Sequence, residues 1–193
     1  MPRAPASVAS ALADLAGAIG ALRLGWYVFG AQALALRGVP RATADLDVTI
    51  LPGETSTDAV VAALVKRRFV LRFGDADFIA RTSVLAMVHS PSAFPVDVVL
   101  GKPGLEELFL EGSRPVRVGR KDIPVASATH LLVMKVLAAR PKDLDDAAAL
   151  LRLRTDELDV REAEQLVRAI CEATGEDDAV IAFEKLKART PRR

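Results

Sequence analysis

The first pattern along the chain is helical. Leu12, Leu15, Ile19 and Leu22 recur at spacings of three and four, which predicts an amphipathic helix from about Ser7 to Leu22 with its stop at Gly25. Trp26-Tyr27-Val28-Phe29 then reads as a short buried strand. Gly30 breaks it, and Ala31 to Leu36 has helical propensity until Gly38-Val39-Pro40. Asp45 to Leu51 alternates polar and apolar residues as a strand closed by the Pro52-Gly53 turn, so Asp45 and Asp47 share one face. Ser56-Thr57-Asp58 caps a helix running to about Arg67. Three β-like segments follow: Phe69 to Phe73, Asp77 to Val88 with a turn near Thr82-Ser83, and Phe94 to Leu100. A short helix is expected from Leu105 to Leu110. A hairpin follows, with Val116 to Val118 and Ile123 to Val125 around Gly119-Arg120-Lys121.

From Ser127 onward the pattern is helical throughout, near Ser127–Ala139, Lys142–Leu151, Val160–Thr174 and Ala179–Ala188. The expected class is α+β: a small mixed β-sheet with flanking helices over residues 1–126, then a helical C-terminal lobe over 127–193.

Composition narrows the chemistry. Half of the 193 residues are apolar (51%) but only 5% are aromatic, so the core is built mostly from Ala, Leu and Val. A formal net charge of +1 provides no global basic field for nucleic acid, although a local patch stays open. One cysteine, Cys171, excludes an internal disulfide and any multi-cysteine metal site, and points to a reducing, cytoplasmic setting. Arg3 followed by an Ala-rich stretch has a leader-like look, but Asp14 interrupts it, and Leu12, Leu15, Ile19 and Leu22 keep the spacing of an amphipathic folded helix. No apolar run approaches the roughly 18 residues of a membrane span, so no membrane partner is expected.

The informative residues are acidic. A carboxylate inside an apolar strand is unfavourable unless something cationic neutralises it, and two on one face repel each other. Asp97, in Phe94 to Leu100, adds a third. Mg²⁺ removes the difficulty, because it takes carboxylate oxygens together with phosphate oxygens and water. Two such ions would stabilise an in-line phosphoryl displacement. Gly30, between strand and helix, lets backbone N–H groups approach a phosphate closely. Arg41 and Thr43, just ahead of the Asp pair, can reach phosphate or orient the loop.

The run Phe29-Gly30-Ala31, Arg41-Ala42-Thr43-Ala44-Asp45-Leu46-Asp47-Val48 resembles the signature of polymerase-β-like nucleotidyltransferases. It is most similar to the AbiEii-type toxin branch of type IV toxin–antitoxin systems, which reads strand, Gly-Gly or Gly-Ser, helix, then Arg-x-Ser/Thr-x-Asp-hydrophobic-Asp. Pro95-Val96-Asp97-Val98-Val99 resembles the strand of the third carboxylate. Lys135 with Arg140-Pro141-Lys142-Asp143-Leu144-Asp145-Asp146 resembles the downstream Lys and Lys-Asp-x-x-Asp helix.

The resemblance implies that residues 1–126 form a nucleotidyltransferase core. Asp45, Asp47 and Asp97 would hold metal, with two Mg²⁺ expected, and Asp97 would also activate an acceptor hydroxyl. Gly30, Ala31, Arg41, Thr43 and Lys135 would hold a nucleoside triphosphate, while Asp143 and Asp146 would support the site or the acceptor. The implied acceptor is a tRNA end or a protein, and the implied partner a cognate antitoxin. Ala31 departs from the pattern: it keeps the backbone N–H but carries no serine hydroxyl. Two rivals are a small-molecule modifier of the antibiotic-nucleotidyltransferase kind and an inactive nucleotide- or partner-binding module.

Other residues have blander readings. Lys135 lies in an apolar helix, where its stem packs and its ammonium snorkels towards phosphate; its loss is expected to alter stability by less than about 1 kcal/mol. Asp143 and Asp146 share a helix face and suit the start of a helix dipole equally well. Arg81, expected on a strand, reads as a surface residue or one facing the cleft. His130 is expected to be structural or capping, His89 has no evident partner, and Cys171 is expected in the core.

Overall fold

In the computed structural model, which describes residues 5–73, 76–153 and 155–190, the first apolar stripe folds as α1, Ala6–Leu22, burying Leu12, Leu15 and Ile19. Arg23, in the left-handed region (φ 57°), ends the helix, and Gly25 opens the next strand instead. Arg3 lies outside the described residues. The elements that follow are β1 (Gly25–Phe29), α2 (Gly30–Leu36), β2 (Leu46–Leu51), α3 (Thr57–Lys66), β3 (Phe69–Leu71) and α4 (Ala76–Thr82). Then come β4 (Val84–His89), β5 (Phe94–Leu100), α5 (Leu105–Glu111), β6 (Arg114–Val118) and β7 (Lys121–Val125). The strands form one seven-stranded mixed sheet in the order β3-β4-β5-β2-β1-β7-β6. Two pairs are parallel, β2 with β5 and β1 with β7; the rest are antiparallel.

The chain divides into two compact units. One comprises the chain up to Leu36 with Arg41–Ala126, the other Arg37–Pro40 with everything from Ser127 on. In the first, alternation sorts the central strands into two faces. Leu46, Val48 and Ile50 of β2, with Val96 and Val98 of β5 and Leu85 and Met87 of β4, form the buried face, all fully inaccessible. His89 lies on this face too, and α1 reaches it through Asp14. The opposite face carries Asp47 and Thr49 of β2 and Asp97 of β5. At one end α5 covers it, with Leu110 packed so closely on Gly25 that a Cβ there would lie 2.4 Å away.

The segment from Asp77 to Arg81 was expected as a strand and is the helix α4. Asp77 in its first turn and Arg81 in its last complement the helix dipole, and none of its residues is buried, so no sheet face demands the period of two. Arg81 is accordingly an exposed helical residue.

In the second unit, α6 (Ala128–Ala138), α7 (Pro141–Arg152), α8 (Val160–Thr174) and α9 (Asp178–Arg189) pack around Leu131, Leu132, Val136, Leu150, Val167 and Phe183. Ser127 caps α6 by accepting from the backbone N–H of His130 at 3.1 Å. Cys171 is buried on α8. Among the described residues no helix is long and apolar enough to cross a membrane.

Candidate functional site

Asp47 and Asp97 are register partners on the adjacent parallel strands β2 and β5, so their side chains leave the same face of the sheet. Neighbouring strands lie about 4.8 Å apart, which makes these two carboxylates lateral neighbours. The row extends both ways: Phe29 of β1 pairs with Asp47, and Ala86 of β4 pairs with Asp97. This is the end of the face away from α5. Towards α5 the face closes over Tyr27, whose burial raises its phenol to about 12 despite a hydrogen bond with Thr49. Tyr27 is therefore neutral packing at the edge of the site.

Gly30 carries an unforeseen duty. Its φ is +69°, and a Cβ built on it would lie 2.0 Å from Asp47 Oδ2. The sequence suggested that glycine here makes room for a phosphate. The missing side chain also makes room for the Asp47 carboxylate, which leans over the first residue of α2. Ala31 follows, half-buried in the same helix.

Asp45 sits one residue ahead of β2, and its Oδ1 accepts a 2.5 Å hydrogen bond from the Thr43 hydroxyl. Its backbone N–H in turn donates to Thr43 Oγ1 at 3.4 Å, which ties the loop into a local turn. Arg41 is exposed and donates to its neighbour's carbonyl, Ala42 O, at 3.2 Å. Among the described residues no three His, Cys, Asp or Glu side chains stand grouped so as to hold an ion. The donor chemistry of the Asp47–Asp97 row, two hard carboxylates side by side, nevertheless suits Mg²⁺.

One residue of the row was not singled out from the sequence. Arg72, just beyond β3, forms an ion pair with Asp97 in which both side chains are about one-third exposed (33% and 34%). The only signal available was its alternation with Val70 in a short edge strand, which says nothing about the strand it faces.

The remaining candidates lie in the helical unit, where they form a cluster of their own. Lys135 Nζ is 2.8 Å from Asp143 Oδ1 and 2.9 Å from Asp146 Oδ2, and Arg140 also pairs with Asp143. Asp143 is fully buried and Asp146 nearly so. Burial alone would push the Asp143 carboxyl up; hydrogen bonds and charge from Arg140 and Lys135 outweigh it and hold it below the usual range. Lys135 is thus a buried counter-ion for two carboxylates, not a snorkelling surface lysine.

His89 has partners after all. Its ring is fully buried, with Nδ1 at 2.7 Å from Ser92 Oγ and Nε2 at 3.0 Å from Asp14 Oδ2. Arg68 adds a 2.7 Å pair to the same Asp14 oxygen. Asp14, which breaks the leader-like stretch, is the pin that joins α1 to the turn after β4.

At the level of sequence, no known protein family and no curated protein matches this chain. Solved structures do. An antigenic nucleotidyltransferase-like protein from Paracoccidioides brasiliensis superposes with a TM-score of 0.56 at 16% identity, covering 95% of both chains. ANT(2'')-Ia in complex with adenylyl-2''-tobramycin gives 0.52 at 14% identity, covering 95% of this chain and 98% of that one. The fold is that of nucleotidyltransferase-like proteins.

Proposed function

We propose that this chain transfers a nucleoside monophosphate from a nucleoside triphosphate to an acceptor hydroxyl. The acceptor oxygen would bond to the α-phosphorus as the bond to pyrophosphate breaks, and the hydroxyl proton would pass to a carboxylate oxygen of Asp97. The observation that carries this reading is the in-register placement of Asp47 beside Asp97, both half-buried, on one face of the sheet. Such a pair, with Asp45 two residues upstream, offers the oxygen donors that Mg²⁺ prefers. When bound, Mg²⁺ would offset the charge that develops on the phosphate oxygens.

The protein's own residues would do the positioning. Gly30 leaves Asp47 its place at the start of α2, and Thr43 orients Asp45. The backbone of Gly30 and Ala31, with Arg41, would line the triphosphate. Catalysis of this kind depends on positioning and charge stabilisation, with no covalent protein intermediate.

For the acceptor, the motif resemblance to the AbiEii-type branch favours a tRNA end or a protein hydroxyl, with a cognate antitoxin as partner. A small-molecule hydroxyl is the second reading, favoured by the fold shared with ANT(2'')-Ia, whose structure contains adenylyl-2''-tobramycin. The deciding experiment supplies each α-labelled nucleoside triphosphate with Mg²⁺ to total tRNA, to lysate protein and to tobramycin. Label on RNA or protein is the expected result, and label on tobramycin alone selects the second reading. Triphosphate binding with no pyrophosphate released in any arm overturns transferase activity and leaves a binding module.

A further inference from the structure

The row that contains the two carboxylates extends to the edge of the sheet. Leu71 pairs with Met87, and the Arg72 N–H continues the ladder by donating to Ala86 O at 2.8 Å. Arg72 therefore stands in line with Ala86, Asp97, Asp47 and Phe29, one residue from each of five neighbouring strands or strand ends. Ala86 places only a methyl group on this row. The arginine side chain passes over it, across the whole width of β4, to pair with Asp97.

Two carboxylates side by side on neighbouring strands repel each other, and a nearby positive charge relieves that repulsion. Arg72 supplies it from outside the strands that carry the acids. Its guanidinium carbon also lies 5.8 Å from the centre of the Phe73 ring, which is exposed, so the arginine has a second resting surface close by. A pair exposed to this degree is weak and exchangeable.

We propose that Arg72 is a built-in counter-cation for Asp97 that a divalent cation must displace before the carboxylate row can hold it. Arg72 is then a positioning residue that sets the cation affinity of the resting site. This inference rests on the metal-dependent reading above.

The test titrates nucleotide-free protein with Mn²⁺ alone and follows free Mn²⁺ by electron paramagnetic resonance. Arg72→Gln and Arg72→Ala should bind Mn²⁺ about three- to five-fold more tightly than wild type, the range set by losing one partly exposed ion-pair competitor. Arg72→Lys, which keeps the charge, should stay near wild type, and the gain should vanish in an Asp97→Asn background. Equal or weaker binding in both neutral variants, with Asp47→Asn still impairing Mn²⁺ binding, overturns the counter-cation role and leaves the metal site standing. A gain that persists with Asp97→Asn overturns it as well. If neither wild type nor the Arg72 variants bind Mn²⁺, both the role and the metal site fail.

Discussion

Gly30 and Asp47 belong together at the residue scale. With φ at +69° and a would-be Cβ 2.0 Å from the Asp47 carboxylate, any side chain at position 30 both strains the backbone and evicts the acid. Gly30→Ala should lower stability by about 1–3 kcal/mol in urea unfolding and abolish nucleotidyl transfer in the fraction that still folds. Asp47→Asn makes a cleaner probe, since it removes a formal charge at nearly constant shape on a half-buried strand position. It should retain the wild-type unfolding midpoint and lose at least about a hundredfold in transfer rate, as expected when several kcal/mol of charge stabilisation are withdrawn. Wild-type turnover in a well-folded Asp47→Asn protein would remove Asp47 from the catalytic machinery.

Among the elements, the packing of α6 against α7 contains a buried ion cluster that a lone helix would not. Lys135, on α6, faces Asp143 and Asp146 one turn apart on α7. Removing the lysine leaves Asp146 without that cation and Asp143 dependent on Arg140. Lys135→Ala should therefore destabilise the protein by about 3 kcal/mol, the cost of leaving a buried charge poorly compensated. This reverses the expectation of less than about 1 kcal/mol that follows from reading Lys135 as a phosphate-contacting residue outside the core. A chemical-denaturation curve for Lys135→Ala superimposing on wild type would show that the pairings contribute nothing net. Between α8 and α9 the charges are less buried: Lys187 and Arg168 each bridge Glu164 and Glu184.

On the whole-molecule scale, depressed carboxylates in both units set the response to acid. Hydrogen bonds from Lys187 and Arg168 lower Glu164 from its ordinary 4.5 to about 2. Burial pushes Asp14 and Asp143 up, but hydrogen bonds with His89 and Arg68 for the first, and with Arg140 and Lys135 for the second, outweigh it and lower both. A carboxyl with a lower pKa folded than unfolded contributes stability above its unfolded pKa and loses it as pH falls through the folded one. Thermal unfolding temperature should therefore fall steadily between pH 4.5 and about 2, and Glu164→Gln should flatten part of that slope. Added salt should diminish the Glu164 share most, since its pairs lie at the surface. An unchanged slope in Glu164→Gln would mean that the α8–α9 charges do not stabilise the fold.

Local periodicity by itself determined the segments. The helix of Leu12, Leu15 and Ile19, the strand from Phe94 to Leu100 and the four C-terminal helices follow from spacings of two, three and four residues, which a short stretch of chain obeys wherever it ends up. The same alternation placed Asp47 on one face of a strand, whereas Asp45, expected beside it, lies one residue ahead of β2 and is tied to Thr43. Alternation failed from Asp77 to Arg81, where no buried face enforces either period and helix-dipole chemistry decided. Which strands adjoin was a tertiary decision. Asp47 meets Asp97 only because β5 docks beside β2 in register, and Arg72 reaches the pair only because Ala86 is small and β4 lies between. Asp14 with His89, 75 residues apart, and Lys135 with two acids on the next helix are choices of the same kind. Each pairing is selected by what remains to be neutralised once the apolar faces have closed, and a one-dimensional pattern holds no record of that competition.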